Sequence, residues 1–166
     1  IKMEFSISIQ PDENLKKQID SLRYHYDRKL LRENAPYIKI YGPVESFINL
    51  KKISALVTDY FKQKKRFRIH TDIIGFLDSE KTIFLNITAP LKIREIYEDL
   101  KKIINLPEAP FFFPHIEIAK NHSLEELETI YEELKENEIH YNSFCENIAV
   151  HFKEGHFWEE YASFVL

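Results

Sequence analysis

The first stretch of the chain alternates apolar and polar residues, which predicts a strand with one buried face. The apolar face comprises Met3, Phe5, Ile7 and Ile9, and the polar face comprises Glu4, Ser6, Ser8 and Gln10. Pro11 and Asp12 interrupt the alternation, and Asp12 suits a helix N-cap because its carboxylate can accept hydrogen bonds from the first turn. Apolar residues at helical spacing then predict a helix that runs to about residue 31.

The rest of the chain alternates between strand-like and helix-like periods in the same way. The predicted strands cover 37–41, closed by Gly42-Pro43, then 66–73, ended or bent by Gly75, and 82–88. A further strand follows Pro114, and two final strands cover 142–152 and 156–166. The predicted helices are one capped by Ser46, one opened by Pro90 and one with Ser123 and Glu126 as a capping box. The order β-α-β-α-β-β-α-β-α-β-β predicts an α+β fold with largely antiparallel pairing.

Two of the predicted strands share one pattern. Pro36-Tyr37-Ile38-Lys39-Ile40 matches Pro114-His115-Ile116-Glu117-Ile118 position by position. Residues two apart on a strand share a face, so one strand presents Tyr37 and Lys39 while the other presents His115 and Glu117. This repeat predicts two related halves, each with a polar strand face toward a shared cleft.

Composition limits the classes of function that the chain can have. Its 166 residues are 44% hydrophobic and 14% aromatic, as in a globular domain with a real core. The net charge of −4 argues against binding of duplex nucleic acid, which requires a basic surface. A single cysteine excludes an intramolecular disulfide and a cysteine zinc cluster, and fits the cytoplasm. The absence of a long apolar run predicts no membrane span.

Several stretches resemble the 2H phosphoesterases, the group that includes the 2′-5′ RNA ligase (LigT-like) proteins. The likeness covers most of the chain and is greatest to the bacterial YjcG-type branch; it is carried by the opening strand, 22–27, 36–40, 83–86, 113–118 and 158–161. The resemblance implies one domain over residues 1–166, with two pseudo-symmetric lobes, antiparallel sheets around a central cleft and helices outside. It implies no metal and no cofactor.

In that family each half contributes a histidine and, two residues later, a threonine or serine. The resemblance implies that one histidine takes a proton from the attacking hydroxyl or water, the other protonates the leaving oxygen, and the hydroxyls hold the phosphate. Here Tyr37 and Lys39 occupy the first pair of positions, and His115 and Glu117 occupy the second. Only His115 matches, so it is the predicted catalytic residue, and Tyr37, Lys39 and Glu117 are the predicted ligand-binding residues.

Each of these residues also has a structural interpretation. His115 could be a relic held by hydrogen bonds, Tyr37 an aromatic that fills the cleft, and Lys39 and Glu117 an ion pair. His70 belongs to a polar strand face typical of solvated residues, His122 is expected at the surface, and Phe111, Phe112 and Phe113 in the core or as a platform for bases. His140, His151 and His156 lack metal-ligand spacing as a set, so no metal site is predicted.

Three functions therefore compete. In the first, the chain is a degenerate family member that binds a nucleotide, RNA end or protein without hydrolysis. In the second, it is a metal-independent phosphodiesterase acting on cyclic-phosphate or 2′-5′-linked nucleotides. In the third, it is a protein-interaction module with an occluded cleft. The missing first histidine favours the first interpretation over an enzyme. The sequence leaves the ligand and the oligomeric state open. Two geometric expectations follow: the strands of Tyr37 and His115 lie centrally and adjacent, and Lys39 pairs with Glu117 directly or through one water.

Overall fold

The computed structural model describes residues 2–88, 91–108, 110–137 and 139–166. The helices are α1 (Glu13–Tyr26), α2 (Arg28–Glu33), α3 (Leu50–Phe61), α4 (Leu91–Ile104) and α5 (Leu124–Lys135). The strands are β1 (Met3–Gln10), β2 (Ile38–Ser46), β3 (Phe67–Leu77), β4 (Thr82–Thr88), β5 (His115–Lys120), β6 (Tyr141–Cys145), β7 (Asn147–Glu154) and β8 (Phe157–Val165). None of the helices in these ranges has the length and apolarity that crossing a membrane would require.

The strands form two four-stranded antiparallel sheets. Sheet A has the order β2-β1-β7-β8, and sheet B has the order β5-β4-β3-β6. The apolar faces of the sheets and helices form one buried cluster, in which Phe5, Ile83 and Ile148 are inaccessible to solvent. The predicted α+β class with antiparallel sheets, helices outside and a cleft between the sheets is confirmed.

The first helical region is interrupted by a buried carboxylate. Asp12 caps α1 as predicted, accepting a hydrogen bond from the Leu15 amide, but the helix ends at Tyr26. Asp27 then caps α2 by accepting from the Leu30 amide at 2.9 Å. The prediction of one continuous helix to residue 31 was wrong because Asp27 restarts the helix while it also bonds elsewhere in the fold.

Two element ends differ from the sequence prediction in the next region. The strand predicted to close at Gly42-Pro43 continues to Ser46, because β2 is an edge strand, where a proline leaves no ladder bond unmade. Asn49, and not Ser46, caps α3 by accepting from the Lys52 amide. Gly75 likewise lies inside β3, where the ring of Phe84 occupies the space of an absent Cβ.

The later elements were predicted more closely, with one exception. Strand β4 and the Ser123 cap of α5 agree with prediction, whereas Pro90, the predicted start of α4, lies outside the described residues. The single strand predicted over 142–152 is two strands that separate at Glu146 and enter different sheets. Strand β6 forms the outer edge of sheet B, and β7 runs through the middle of sheet A.

Candidate functional site

A cleft with a volume of about 350 Å³ lies where sheet A meets the edge of sheet B. Its floor comes from β1 and β7, one side from β2 and β8, and the other side from β5 and the residues around Arg23. The lining residues that carry chemistry are Ser6, Ser8, Arg23, Tyr37, Lys39, His115, Glu117, Lys120, His151, His156, Trp158 and Glu160. Three cations and two carboxylates are among them, so the cleft combines both charges.

All four residues selected from the sequence line this cleft, but their strands are arranged differently from expectation. Strand β2 carries Lys39, with Tyr37 just before it, and β5 carries His115 and Glu117. The strands were expected to be central; instead each is the edge strand of its own sheet. The two edges lie in contact across the cleft, and this brings the matched positions together. The pseudo-symmetry of the two lobes stays a prediction.

His115 has a defined ring orientation. Its Nδ1 lies 2.7 Å from the carbonyl oxygen of Phe113, so Nδ1 carries a proton and donates it. The ring stacks on Phe113 at 4.4 Å and packs edge-on against Phe84 at 5.4 Å. In a neutral ring the lone pair is therefore on Nε2, which lies 4.0 Å from Oε1 of Glu117. The backbone and two aromatic rings thus hold His115 in one tautomer and one orientation.

The expected direct ion pair between Lys39 and Glu117 is not formed. Within the described ranges, the carboxylate of Glu117 lies within 4.0 Å of His115 and Lys120, the latter at 3.6 Å, but not of Lys39. The Lys39 ammonium lies over the Trp158 ring, 5.6 Å from its centroid. A direct pair is absent because Lys120, from the same strand, lies closer to the Glu117 carboxylate, while the Lys39 ammonium contacts the Trp158 ring. Pairing of Lys39 with Glu117 through one water stays a prediction.

Lys39 remains the cation most available to a ligand. The residue is exposed to solvent, yet the surrounding cleft walls partly desolvate the ammonium and lower its pKa, an effect that Glu117 opposes. Water still reaches the Lys39 side chain, so a ligand that enters the cleft can also reach it. Arg23, in contrast, is 2% exposed, and donates to the carbonyl oxygens of Glu117 and Asn34 at 2.9 and 2.6 Å. Arg23 therefore supports the cleft wall.

A second histidine, His151, lies in the cleft, and the sequence analysis did not select it as a site residue. His151 is 5% exposed, in the middle of sheet A, and its ring centroid is 4.3 Å from that of Tyr37. Its Nε2 is buried and has no hydrogen-bond partner among the described protein groups. Burial lowers the pKa of His151, Glu160 opposes this shift, and Lys39 adds to it. The ring is thus neutral near pH 7.

Two buried hydroxyls complete the floor of the cleft. Ser6 and Ser8 are 2% and 1% exposed and lie on one face of β1, with Ser6 paired to His151 and Ser8 to Lys39. The sequence signal for them was present, because the alternation in β1 placed both on one polar face. Nothing local showed that this face was buried. Burial and the charge of Glu160 raise the pKa of Tyr37, so its phenol stays neutral and cannot act as a base.

The remaining sequence expectations have mixed outcomes. Phe111 is exposed and not in the core, while Phe112 and Phe113 are half-buried. His122 is not a free surface residue, since its ring nitrogens lie 3.2 Å from Asp27 and 3.1 Å from Glu126. The face around His70 that was expected to be solvated is partly exposed, and it brings His70, Asp72 and His140 together.

Comparison with known proteins identifies the family. The family model described as the 2′-5′ RNA ligase superfamily matches residues 11–155. The chain belongs to this superfamily. No protein of curated function matches the sequence.

Solved structures show how the superfamily member compares in three dimensions. It resembles E. coli LigT in the apo form at a TM-score of 0.67 and 11% identity, over 100% of this chain and 98% of that one. It resembles E. coli LigT in complex with 3′-AMP at a TM-score of 0.65 and 11% identity, over 99% and 98% of the chains. A structure described as a phosphoesterase matches at 0.61, with 11% identity, over 100% and 99%. At these identities the likeness shows the fold.

Proposed function

We propose that this superfamily member binds a nucleotide or an RNA end in the cleft, with the phosphate held by Lys39. The observation that carries the proposal is that Lys39 lines the cleft and that its ammonium lies within 4.0 Å of no carboxylate in the described residues. The hydroxyls of Ser6 and Ser8 lie on the floor of the same cleft, and hydroxyls donate well to phosphate oxygens. A tetrahedral anion thus has a cation and two neutral donors available.

Aromatic rings in the cleft suit the base of such a ligand. Tyr37 and Trp158 both line the cavity, and each offers a flat face on which a nucleobase can stack. Structures of E. coli LigT, whose fold this chain shares, hold 3′-AMP, ATP and NADP⁺. The cleft volume of about 350 Å³ also argues against a protein-interaction module with an occluded cleft, because that hypothesis requires side chains to fill the cleft.

The test is calorimetric titration with 3′-AMP, ATP and inorganic phosphate. At 100 times its dissociation constant, a ligand should stabilise the chain by about 2.7 kcal/mol, which a thermal-shift assay measures independently. Lys39→Ala should weaken binding of each phosphate ligand at least about tenfold. The matched control is Lys51→Ala, on the exposed face of α3. Equal affinities of the wild type and Lys39→Ala would contradict the proposal.

A second candidate function, metal-independent phosphodiester hydrolysis, is favoured by the position of His151. The family motif supplies only His115, but His151 provides a second imidazole that lines the same cleft. Because burial keeps His151 neutral, it suits the general base, and His115, beside the Glu117 carboxylate, suits the general acid.

The hydrolytic step balances with these two groups. Water attacks the phosphorus of a 2′,3′-cyclic phosphate and gives its proton to the neutral imidazole of His151. The bond from phosphorus to one ribose oxygen breaks, and that oxygen takes the proton from Nε2 of His115, which acts here in its doubly protonated, cationic form. Proton exchange with solvent then returns both rings to their starting states. Neither a metal nor a redox partner takes part in this step.

Rates with a 2′,3′-cyclic nucleotide test the second candidate. His115→Ala and His151→Ala should each reduce turnover about 10²–10⁴-fold, because each removes a group that moves a proton in the transition state. His25→Ala, a surface histidine outside the cleft, is the control. If the wild type binds 3′-AMP but does not turn over the cyclic nucleotide, hydrolysis is rejected and the binding function remains.

A further inference from the structure

His70, Asp72 and His140 form a cluster at the edge of sheet B that lies away from β5. Strand β3 carries His70 and Asp72, and His140 immediately precedes β6, which pairs with β3. Each residue offers one ligand atom, and the three atoms lie within 4.8 Å of one another. None of the three lines the cleft. The sequence did not predict a metal site here, because residues 72 and 140 are brought together only by the pairing of these strands.

The His70 ring is oriented by a neighbouring amide. Its Nδ1 lies 2.8 Å from Oδ1 of Asn142, the residue that pairs with His70 in the ladder. With Nδ1–H as the donor, a neutral ring carries its lone pair on Nε2. An amide or carboxylate that fixes one nitrogen while the other faces a cation is the usual second partner of a metal-binding histidine.

Asp72 presents an anion that is only partly compensated. One oxygen, Oδ2, lies 3.5 Å from Nε2 of His70, so two acceptors face each other when the imidazole is neutral. The other, Oδ1, is buried and has no hydrogen-bond partner among the described groups. A cation between Nε2 and Oδ2 would convert this unfavourable contact into two coordinate bonds. His140 can provide the third, since its ring lies nearly parallel to that of His70 at 6.1 Å.

We propose that His70, Asp72 and His140 bind a divalent late transition metal ion such as Zn²⁺, with Asn142 as the positioning residue. Two imidazoles and one carboxylate are the ligands that Zn²⁺ accepts, and the all-oxygen set preferred by Mg²⁺ or Ca²⁺ is absent from this cluster. His140 is exposed and His70 partly so, which leaves room for water to complete the coordination. The metal joins β3 to the entry of β6 and so stabilises the outer edge of sheet B.

The experiment is calorimetric titration of the tag-free chain with ZnCl₂. We expect one ion per chain, and His70→Ala, Asp72→Ala and His140→Ala should each abolish this binding. Asn142→Ala should weaken it about 10–100-fold, because the orienting partner is lost while all ligands remain. His25→Ala removes an exposed histidine elsewhere and should bind zinc like the wild type. Zinc should also raise the Tm of the wild type but not of the His70 and His140 variants.

A second metal distinguishes a built site from scattered surface binding. Co²⁺ in place of Zn²⁺ should give visible absorption bands of a nitrogen- and oxygen-ligated ion in the wild type, and His140→Ala should remove them. Absence of saturable zinc binding in the wild type, or binding that survives in both His70→Ala and His140→Ala, would overturn the proposal. Affinity for 3′-AMP should be the same in these variants, so this result is independent of the function proposed for the cleft.

Discussion

Glu117 is the carboxylate that we expect to oppose anion binding in the cleft. Its carboxylate neutralises Lys120 at 3.6 Å and faces the space where a phosphate would bind near Lys39. Glu117→Thr removes a repulsive charge and leaves a hydroxyl at the position where the resemblance places one. We expect affinity for phosphate and 3′-AMP to rise about tenfold, or about 1.4 kcal/mol, by calorimetry.

The control for this prediction removes the same charge elsewhere. Glu128 lies on the exposed face of α5, so Glu128→Thr changes the net charge equally without altering the cleft. If both variants gain affinity to the same extent, the effect belongs to overall charge and Glu117 has no particular role.

His151 should make the stability of the fold depend on pH. Burial lowers its pKa in the folded chain, with Glu160 opposing and Lys39 adding to the shift. The unfolded chain therefore binds a proton more readily once the pH falls below the ordinary histidine value of about 6.5. Stability is then lost as the pH falls from about 6.5 toward the folded pKa, and it is retained above that window.

Urea unfolding at several pH values between neutral and acidic measures this effect. His151→Gln, which cannot titrate, should lose less stability than the wild type over the same acidification. Because carboxylates contribute below this range in both proteins, the difference between them isolates His151. Identical pH profiles would show that His151 is not held neutral in the fold.

At the residue scale, the sequence predicted the cleft residues that lie in short, recognisable motifs. Tyr37, Lys39, His115 and Glu117 stand in two matching strand motifs, and all four line the cleft. His151 stands in a run of four buried residues on a central strand, and its burial at the cleft floor depends on the pairing of β7 with β1. Its partner Ser6 is 145 positions away in sequence, so only the β1–β7 pairing brings them together.

At the scale of elements, Asp27 connects the helical region to sheet B. It is 5% exposed, caps α2 through Oδ1, and accepts the Lys120 amide at 2.9 Å through Oδ2. Asp27→Ala should lower the free energy of unfolding by about 3 kcal/mol, since it removes a cap and a charge-assisted hydrogen bond together. Chemical denaturation measures the change.

A helix cap without these tertiary bonds is the matched control. Ser123 caps α5 and is exposed, so Ser123→Ala should cost only about 1 kcal/mol. Equal losses in the two variants would mean that Asp27 acts only as a cap and does not hold the end of β5.

The elements that were predicted poorly are those in which a tertiary contact decides the boundary. The Ser123 cap was predicted correctly because its bond to the Glu126 amide spans only four consecutive residues. The Glu126 side chain contacts His122 at 3.1 Å, so the second bond of the predicted capping box is not seen in the described residues. Asp27 was missed because its second partner is 93 positions away. The division of 142–152 at Glu146 depends on two sheets competing for neighbouring residues, which local periodicity does not record.

At the scale of the whole molecule, both sheets share one hydrophobic cluster, so we expect a single cooperative unfolding transition. Trp158 is the only tryptophan and lies in sheet A, whereas far-UV circular dichroism reports helices and both sheets. The two signals should change with the same midpoint in urea. Separate midpoints would show that the predicted lobes unfold independently, as two small domains would.

The strand order of sheet A means that neighbouring strands are synthesised at very different times. Strand β1 pairs with β2 through one edge and with β7, whose first residue is Asn147, through the other, so β2 is available to it long before β7 is. At ordinary translation rates, on the order of ten seconds separate the two strands. During that interval β1 exposes an unpaired edge and an apolar face, the combination that promotes aggregation of nascent chains. We therefore expect nascent chains to be most prone to aggregation between the appearance of β2 and that of β7.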